Sequence, residues 1–160
     1  MGHCAFHRKD FAAFLRRVRK PANKSFFVCR VSDGKLVGVI NISQIFLGFF
    51  RSAYMGYYVF KPYARGKYMT KGLSLALEEA FGGLGLHRVE ANIRPENIAS
   101  RKLVQRLGFR MEGYSPRYLM VDGKWRDHER WAITIEDWDK GSGKGRKNGS
   151  GNGRREKSRG

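Results

Sequence analysis

The chain has 160 residues and carries 32 Lys plus Arg against 14 Asp plus Glu, a formal charge of +18. That length suits one domain with a real core, and 41% hydrophobic with 13% aromatic content excludes wholesale disorder. Two cysteines, Cys4 and Cys29, exclude a disulfide framework. The longest apolar stretch, Leu36 to Phe50, is interrupted by Asn41, Ser43 and Gln44, so no membrane span is expected. The opening MGHCAFHRKD has no apolar signal-peptide run, and Phe6 stands where a myristoylation signal needs Ser or Thr. A reduced, cytoplasmic protein is the expectation. The charge predicts attraction to polyanions without choosing among nucleic acid, ribosome, anionic lipid or an acidic ligand.

In chain order, Phe11, Phe14, Leu15 and Val18 follow helical spacing and predict an amphipathic helix over Arg8 to Lys20, stopped by Pro21. Phe26 to Val31 and Leu36 to Ile42 are rich in strand formers and flank Asp33-Gly34, a hairpin signal. Ala53 to Phe60 predicts a third strand. Met69, Leu73, Ala76, Leu77, Ala80 and Phe81 share one face of a predicted helix over Tyr68 to Phe81, ended by Gly82, Gly83 and Gly85. His87 to Ile93 predicts a strand. Asn97 suits the N-cap of a helix through Leu107, closed by Gly108. Phe109 to Val121 and Trp125 to Ile135 bracket Asp122-Gly123 as a second hairpin. The order is α β β β α β α β β. Hairpins mixed with strand–helix–strand crossovers predict an α/β (α+β) fold with a mixed, mainly antiparallel sheet flanked by helices.

The last 20 residues contain no hydrophobic residue and carry +6 of the +18. They predict a disordered basic Gly-rich tail over 141–160, following a domain over 1–140. The tail is either a nonspecific polyanion-binding arm or a solubilising extension.

Two stretches carry the chemistry. In Tyr57 to Leu77 a strand leads through Arg65, Gly66 and Lys67 into a helix. Backbone N–H groups at a helix start, with positive charge nearby, suit a pyrophosphate, and Gly66 lets backbone approach closely. In Arg88 to Gly113 a strand leads through Arg94-Pro95-Glu96-Asn97 into a helix ending Leu107-Gly108-Phe109, followed by Glu112-Gly113. These segments, in this order, resemble the GNAT superfamily of N-acetyltransferases. The likeness is greatest to the branch holding ribosomal-protein N-terminal alanine acetyltransferases. The matching pieces are G-Y-Y-V-F-x-P, Y-M-T-x-G-L, P-E-N-x-A-S, L-G-F, E-G and G-K-W-R-D-H, and the resemblance covers Phe11 to Trp138.

The resemblance implies acetyl transfer from acetyl-CoA to an amine, with a ribosomal-protein N-terminus as the acceptor. It implies no covalent nucleophile and no metal. The cofactor would lie where Ala53–Phe60 and His87–Ile93, two parallel strands, splay apart. Backbone groups near Tyr58, Val59 and Phe60 would pair with the pantetheine arm. N–H groups of Gly66, Lys67, Tyr68, Met69 and Thr70 would hold the pyrophosphate, with charge from Arg65 and Lys67. Asn97 would bond the pantetheine arm or hold its loop, and Ser100 would protonate the departing thiolate. The proton acceptor is open among Glu90, Asp127, His128 and Glu129. The Glu some relatives carry after the E-G pair is replaced here by Arg117, Tyr118 and Leu119.

Three departures from the pattern stand out. Arg65 and Lys67 occupy loop positions where Gly is common, so Lys67 either binds phosphate or crowds the loop. The chain begins near the family's second helix, which predicts a sheet short of the first strand and helix. The basic tail lies outside the shared pattern. An inactive, basic RNA- or ribosome-binding module is the alternative expectation.

Outside these stretches, His3, Cys4 and His7 lie too close to a loose terminus to predict a metal site. Tyr54, Tyr57, Tyr58, Tyr63 and Tyr68 are expected near the cleft, as packing or as an acceptor wall. Trp125, Trp131 and Trp138 are expected in the core or an interface.

Overall fold

The computed structural model describes residues 22–64 and 66–142. The predicted helix over Arg8 to Lys20, the His3/Cys4/His7 group, Arg65 and residues 143–160 of the basic tail lie outside them.

Six strands form one sheet: β1 (Lys24–Cys29), β2 (Leu36–Phe46), β3 (Ser52–Val59), β4 (Arg88–Ile93), β5 (Arg110–Val121) and β6 (Lys124–Thr134). Their spatial order is β1-β2-β3-β4-β6-β5. Every pairing is antiparallel except β3 with β4. Among the described residues the α-helices are α1 (Tyr68–Glu78), α2 (Ile98–Arg106) and α3 (Ile135–Ser142). The mixed sheet is the predicted one, and the described part of the element order follows the sequence until β6.

Both hairpins turn where Asp-Gly predicts. Asp122 and Gly123 have φ of 50° and 71°, the left-handed pair that a tight two-residue turn needs. At the other, Gly34 has φ 68° and its N–H donates to the Arg30 carbonyl at 2.8 Å.

Strand alternation decides which face is core. Val89, Ala91 and Ile93 of β4 are buried, while Arg88, Glu90 and Asn92 face the other way. On β3, Ala53 and Met55 join Val89, Ala91 and Ile93 in one apolar cluster with Leu73 and Leu77 of α1 and Val104 of α2. Both helices therefore cover the same face of the sheet. Their apolar stripes close over it, and the burial of these side chains drives the packing.

Two elements differ from the expectation. Helix α1 ends at Glu78 and widens into a π turn over Glu79–Gly83, which still buries Ala80 and Phe81. A final helix, α3, follows β6, so Ile135 opens a helix and the helix carries on through Ser142. The sequence signal was there: Thr134 stands before Glu136 and Asp137 in the first turn, and its Oγ1 lies 3.1 Å from Asp137 Oδ2. Ile135 and Trp138, three apart, pack onto the core.

Candidate active site

The parallel pair β3–β4 is joined only at Ser52–Arg88, Ala53–Val89 and Tyr54–Glu90. Beyond Tyr54 and Glu90 the strands separate. A wedge opens between Met55–Val59 and Ala91–Ile93, at the C-terminal end of both. A buried wedge of this kind leaves backbone groups on its inner edges without ladder partners, and a ligand can use them.

Strand geometry decides which groups face the wedge. The Phe60 N–H donates to the Val37 carbonyl at 2.8 Å, so its backbone is turned toward β2. By alternation Tyr58 is turned the same way, and Val59 and Tyr57 present their backbone to the wedge. Of the predicted trio, Val59 is the residue whose main chain meets the opening.

Two cavities lie at the wedge. One, of about 210 Å³, is lined by Met55, Gly56, Tyr57, Asn92, Asn97, Ser100 and His128 among others. Asn97 and Ser100 bring the start of α2 to the wall of this cavity. The second, of about 300 Å³, is lined by Ser43, Gln44, Tyr54, Met55, Gly56, Asn92, Tyr118 and Leu119. Met55, Gly56 and Asn92 line both.

Asn97 caps α2, its Oδ1 accepting the Ser100 N–H at 3.1 Å. The Tyr57 hydroxyl donates to the Ser100 carbonyl at 3.4 Å. Burial pushes the Tyr57 phenol above its ordinary range, while the Ser100 side chain opposes the shift. Asn97, Ser100 and Tyr57 are thus brought together, and Tyr57 is the member that sequence singled out only as one of five nearby tyrosines.

The start of α1 has no side-chain cap and no acidic residue in its first turn. Its first N–H groups, on Tyr68, Met69 and Thr70, have no intrahelical acceptors, and the helix dipole favours an anion there. The Gly66 N–H instead donates to the Tyr63 carbonyl at 3.1 Å, tightening the turn. A Cβ at Gly66 would collide with the Tyr68 ring, so the close approach of ring and backbone needs glycine. Met69 is buried and packs on Gly38, so only its backbone is available at the turn. A groove of about 800 Å³ leads away from here, lined by Lys67, Tyr68, Thr70, Lys71, Ser74, Arg106 and Leu107. Three cations and no acid on its wall, with an uncapped helix start, fit a phosphorylated ligand.

The four candidate proton acceptors separate clearly. Glu90 accepts from Arg88 Nε at 3.0 Å, and the same guanidinium holds Glu112 below the usual carboxylate range. Glu129 is buried against Arg101 Nε at 2.9 Å and Trp131 Nε1 at 3.0 Å. Asp127 accepts from the Tyr114 hydroxyl and from the Arg117 N–H, the latter at 2.7 Å, and both hold its carboxyl below the ordinary range. None of these three lines either wedge cavity. His128 does. It is 4% exposed, and its Nδ1 lies 3.0 Å from the Arg126 carbonyl. A carbonyl only accepts, so Nδ1 carries a proton, and Nε2 is the ring nitrogen left for proton transfer.

Asp127 has a different part. Arg117 has φ 48°, and the β5–β6 register shifts between Ser115 and Leu119. Asp127 pins this bulge, which turns Tyr118 and Leu119 into the second cavity. Tyr118 also meets the His128 ring edge-on at 6.2 Å. Burial, and next the Tyr118 hydroxyl, hold the Tyr54 phenol above its ordinary range.

A larger groove, about 930 Å³, lies between β1 and α1, away from the wedge. Among the described residues no group of three or more His, Cys, Asp or Glu is placed to hold a metal, and no helix is long and apolar enough to cross a membrane.

Residues 3–110 match the acetyltransferase (GNAT) domain family. The chain belongs to that family, and its class is that of the acetyl-CoA-dependent N-acetyltransferases. It is 32% identical over 130 residues to a probable N-acetyltransferase, YjcK, of Bacillus subtilis, covering 81% of this chain and 72% of that protein. It is 37% identical over 109 residues to the Escherichia coli ribosomal protein uS5-alanine N-acetyltransferase, covering 68% of this chain. That match spans 56% of the E. coli protein's length. Among solved structures, Mycobacterium smegmatis RimJ in complex with CoA-disulfide superposes with a TM-score of 0.74 at 35% identity, covering 86% of this chain and 69% of that one.

Proposed function

We propose that the protein transfers the acetyl group of acetyl-CoA to the N-terminal α-amine of a protein, such as a ribosomal protein, by direct attack without a covalent enzyme intermediate. The observation that carries this reading is the pair of cavities that share Met55, Gly56 and Asn92 at the β3–β4 wedge. One cavity suits the thioester and the other the amine, so the two reactants meet across the gap with no enzyme nucleophile between them.

In this reading the main chain of Val59 pairs with the pantetheine arm. The N–H groups of Tyr68, Met69 and Thr70 hold the pyrophosphate, with charge from Arg65 and Lys67. Lys67 binds phosphate rather than crowding the loop, since it is exposed and lines the cationic groove. Asn97 holds the start of α2 and so places Ser100, which returns a proton to the departing thiolate. His128 Nε2 takes the proton from the amine, directly or through a water. Glu90 stays with Arg88 as an ion pair.

An α-amine is favoured over a polyamine by charge. The described wall of the second cavity carries no ionised side chain, and the chain as a whole is strongly basic. An α-amine has a pKa of about 7.7–8.0, against about 10.4 for an alkylamine of the lysine type, so it reaches the reactive neutral form far more cheaply. A polyamine would also bring further positive charges with no carboxylate to meet them. The uS5-alanine enzyme of E. coli, similar over two thirds of this chain, supports the same acceptor class.

The test is acetyl-CoA turnover against a panel of peptides with varied N-termini, an N-acetylated control, lysine side chains and spermidine. Turnover of α-amines at least tenfold above the other amines is expected. Equal or better turnover of spermidine would overturn the acceptor assignment, and no acetyl transfer to any amine would overturn the whole reading.

A further inference from the structure

Asn92 is the penultimate residue of β4, and the proposed chemistry above leaves it without a role. It lies on the face of β4 turned away from α1 and α2, two residues past Glu90, the last residue of β4 paired with β3. It lines both wedge cavities. Its side-chain oxygen, Oδ1, is buried and has no hydrogen-bond partner among the described residues.

An orphaned buried amide oxygen is costly, on the order of 1–3 kcal/mol, and native structures keep few of them. Such an atom on the wall of a cavity, where two cavities join, is a group waiting for a donor. The other atoms around it sharpen the match. Gly56, the shared residue across the wedge, leaves open space: a Cβ there would meet nothing within 4 Å. Tyr54 and Tyr118 are engaged with each other. Met55 has no donor. Ser43 and Gln44 on the wall of one cavity, and Arg94, Asn97 and Ser100 on the other, carry donors, yet none of them bonds Oδ1.

We propose that Asn92 Oδ1 is the hydrogen-bond acceptor that receives an N–H of the incoming primary amine, holding its nitrogen at the gap between the cavities. This rests on the acetyl-transfer reading and adds a substrate-contacting residue to it. An amide oxygen serves both forms of the amine, since ammonium and neutral amine each carry an N–H. It also leaves the amine's basicity almost untouched, which a carboxylate at this position would not. The nitrogen's lone pair remains free to face the thioester in the cavity that Ser100 lines. After transfer, the product amide has one N–H in place of the amine's two and a planar nitrogen, so the bond to Asn92 favours substrate over product.

The experiment is steady-state kinetics of the full chain with an α-amine peptide, comparing wild type with Asn92→Leu, which keeps size and removes the oxygen. The peptide KM is expected to rise about tenfold, the discrimination of one hydrogen bond, with the acetyl-CoA KM unchanged. Unchanged peptide KM, or a loss confined to acetyl-CoA, would overturn the assignment. Gly56→Ala is the second variant: its methyl enters open space between the cavities and is expected to raise the peptide KM with little effect on folding. Binding of the free-amine and N-acetylated peptides to the CoA-bound protein supplies a readout independent of turnover. Wild type is expected to prefer the free amine, and Asn92→Leu to lose that preference. Wild type that acetylates no amine overturns the acetyl-transfer reading along with the proposal. Normal turnover with an unaffected Asn92→Leu variant overturns the Asn92 role alone.

Discussion

The hydroxyl of Tyr57 on β3 reaches the backbone carbonyl of Ser100 on α2, 3.4 Å away, and so ties the strand to the helix across the wedge. The two residues are 43 apart in sequence. The link holds the first turn of α2, and with it the Ser100 side chain, against the edge of β3. Tyr57→Phe keeps the ring and removes the tie. A loss of about 1 kcal/mol or less in unfolding free energy is expected, since the bond is long and partly buried. The kcat should fall several-fold while acetyl-CoA still raises the melting temperature. An unchanged kcat would mean that Asn97 alone positions Ser100.

His128, the proposed base, lines the cavity that Asn97 and Ser100 share, and its Nδ1 bonds the Arg126 carbonyl. His128→Gln is expected to lower kcat by about 10²–10⁴-fold, the usual worth of a general base. Acetyl-CoA should stabilise the variant as it does wild type, because ligand bound only to the native state raises its stability. A kcat within about threefold of wild type would assign proton removal to solvent.

Gly66 is the one turn residue whose lack of a side chain the Tyr68 ring requires. Gly66→Ala should displace the ring or the loop and weaken the N–H array that follows. The expected result is a smaller thermal shift at a given acetyl-CoA concentration and a higher KM for acetyl-CoA, with peptide KM little changed. Lys67→Ala should act on the same constant and lose its effect as salt screens the phosphate contact. An acetyl-CoA KM unmoved by either change would separate this helix start from phosphate binding.

Asp127 links folding to pH. Its carboxyl is held low by the Tyr114 hydroxyl and then by the Arg117 N–H. A depressed folded-state pKa gives stability that is present above the ordinary aspartate value of about 3.9 and lost as pH falls through the folded value. Asp127→Ala should therefore melt below wild type at neutral pH, and the gap should close as pH drops through about 4 and beyond. Because Asp127 pins the bulge that carries Tyr118, the same variant should raise the peptide KM. A melting gap that persists in acid would trace the effect to packing instead of charge.

How much of this was legible in sequence can be judged residue by residue. Alternation in Arg88–Ile93 predicts which side chains of β4 are core, and Val89, Ala91 and Ile93 are. Both Asp-Gly turns form, because each has a glycine, Gly34 or Gly123, that takes a positive φ without steric cost. Asn97 caps its helix through the local bond to the Ser100 N–H. Each of these depends on interactions within a few residues. Helix α3 was legible too, in Thr134 with Glu136 and Asp137, but the strand pattern running into Ile135 concealed it.

The distant relations were not legible. Four candidate bases looked alike as letters, and tertiary neighbours told them apart: Arg88 engages Glu90, Arg101 engages Glu129, and Tyr114 engages Asp127. Which of Tyr58, Val59 and Phe60 faces the wedge depended on the bond from Phe60 to Val37. Asn92 carried no signal, since an orphaned oxygen is a property of what surrounds it.

The sequence by itself determined the family, the local turns and caps, and the basic charge, because composition, motif spacing and short-range bonding are written in the residues themselves. Only the tertiary structure decided where β3 and β4 part, which ionisable groups are neutralised and which one faces the gap. Those outcomes arise from strand register and from partners tens of residues apart, brought together by burial of one shared core.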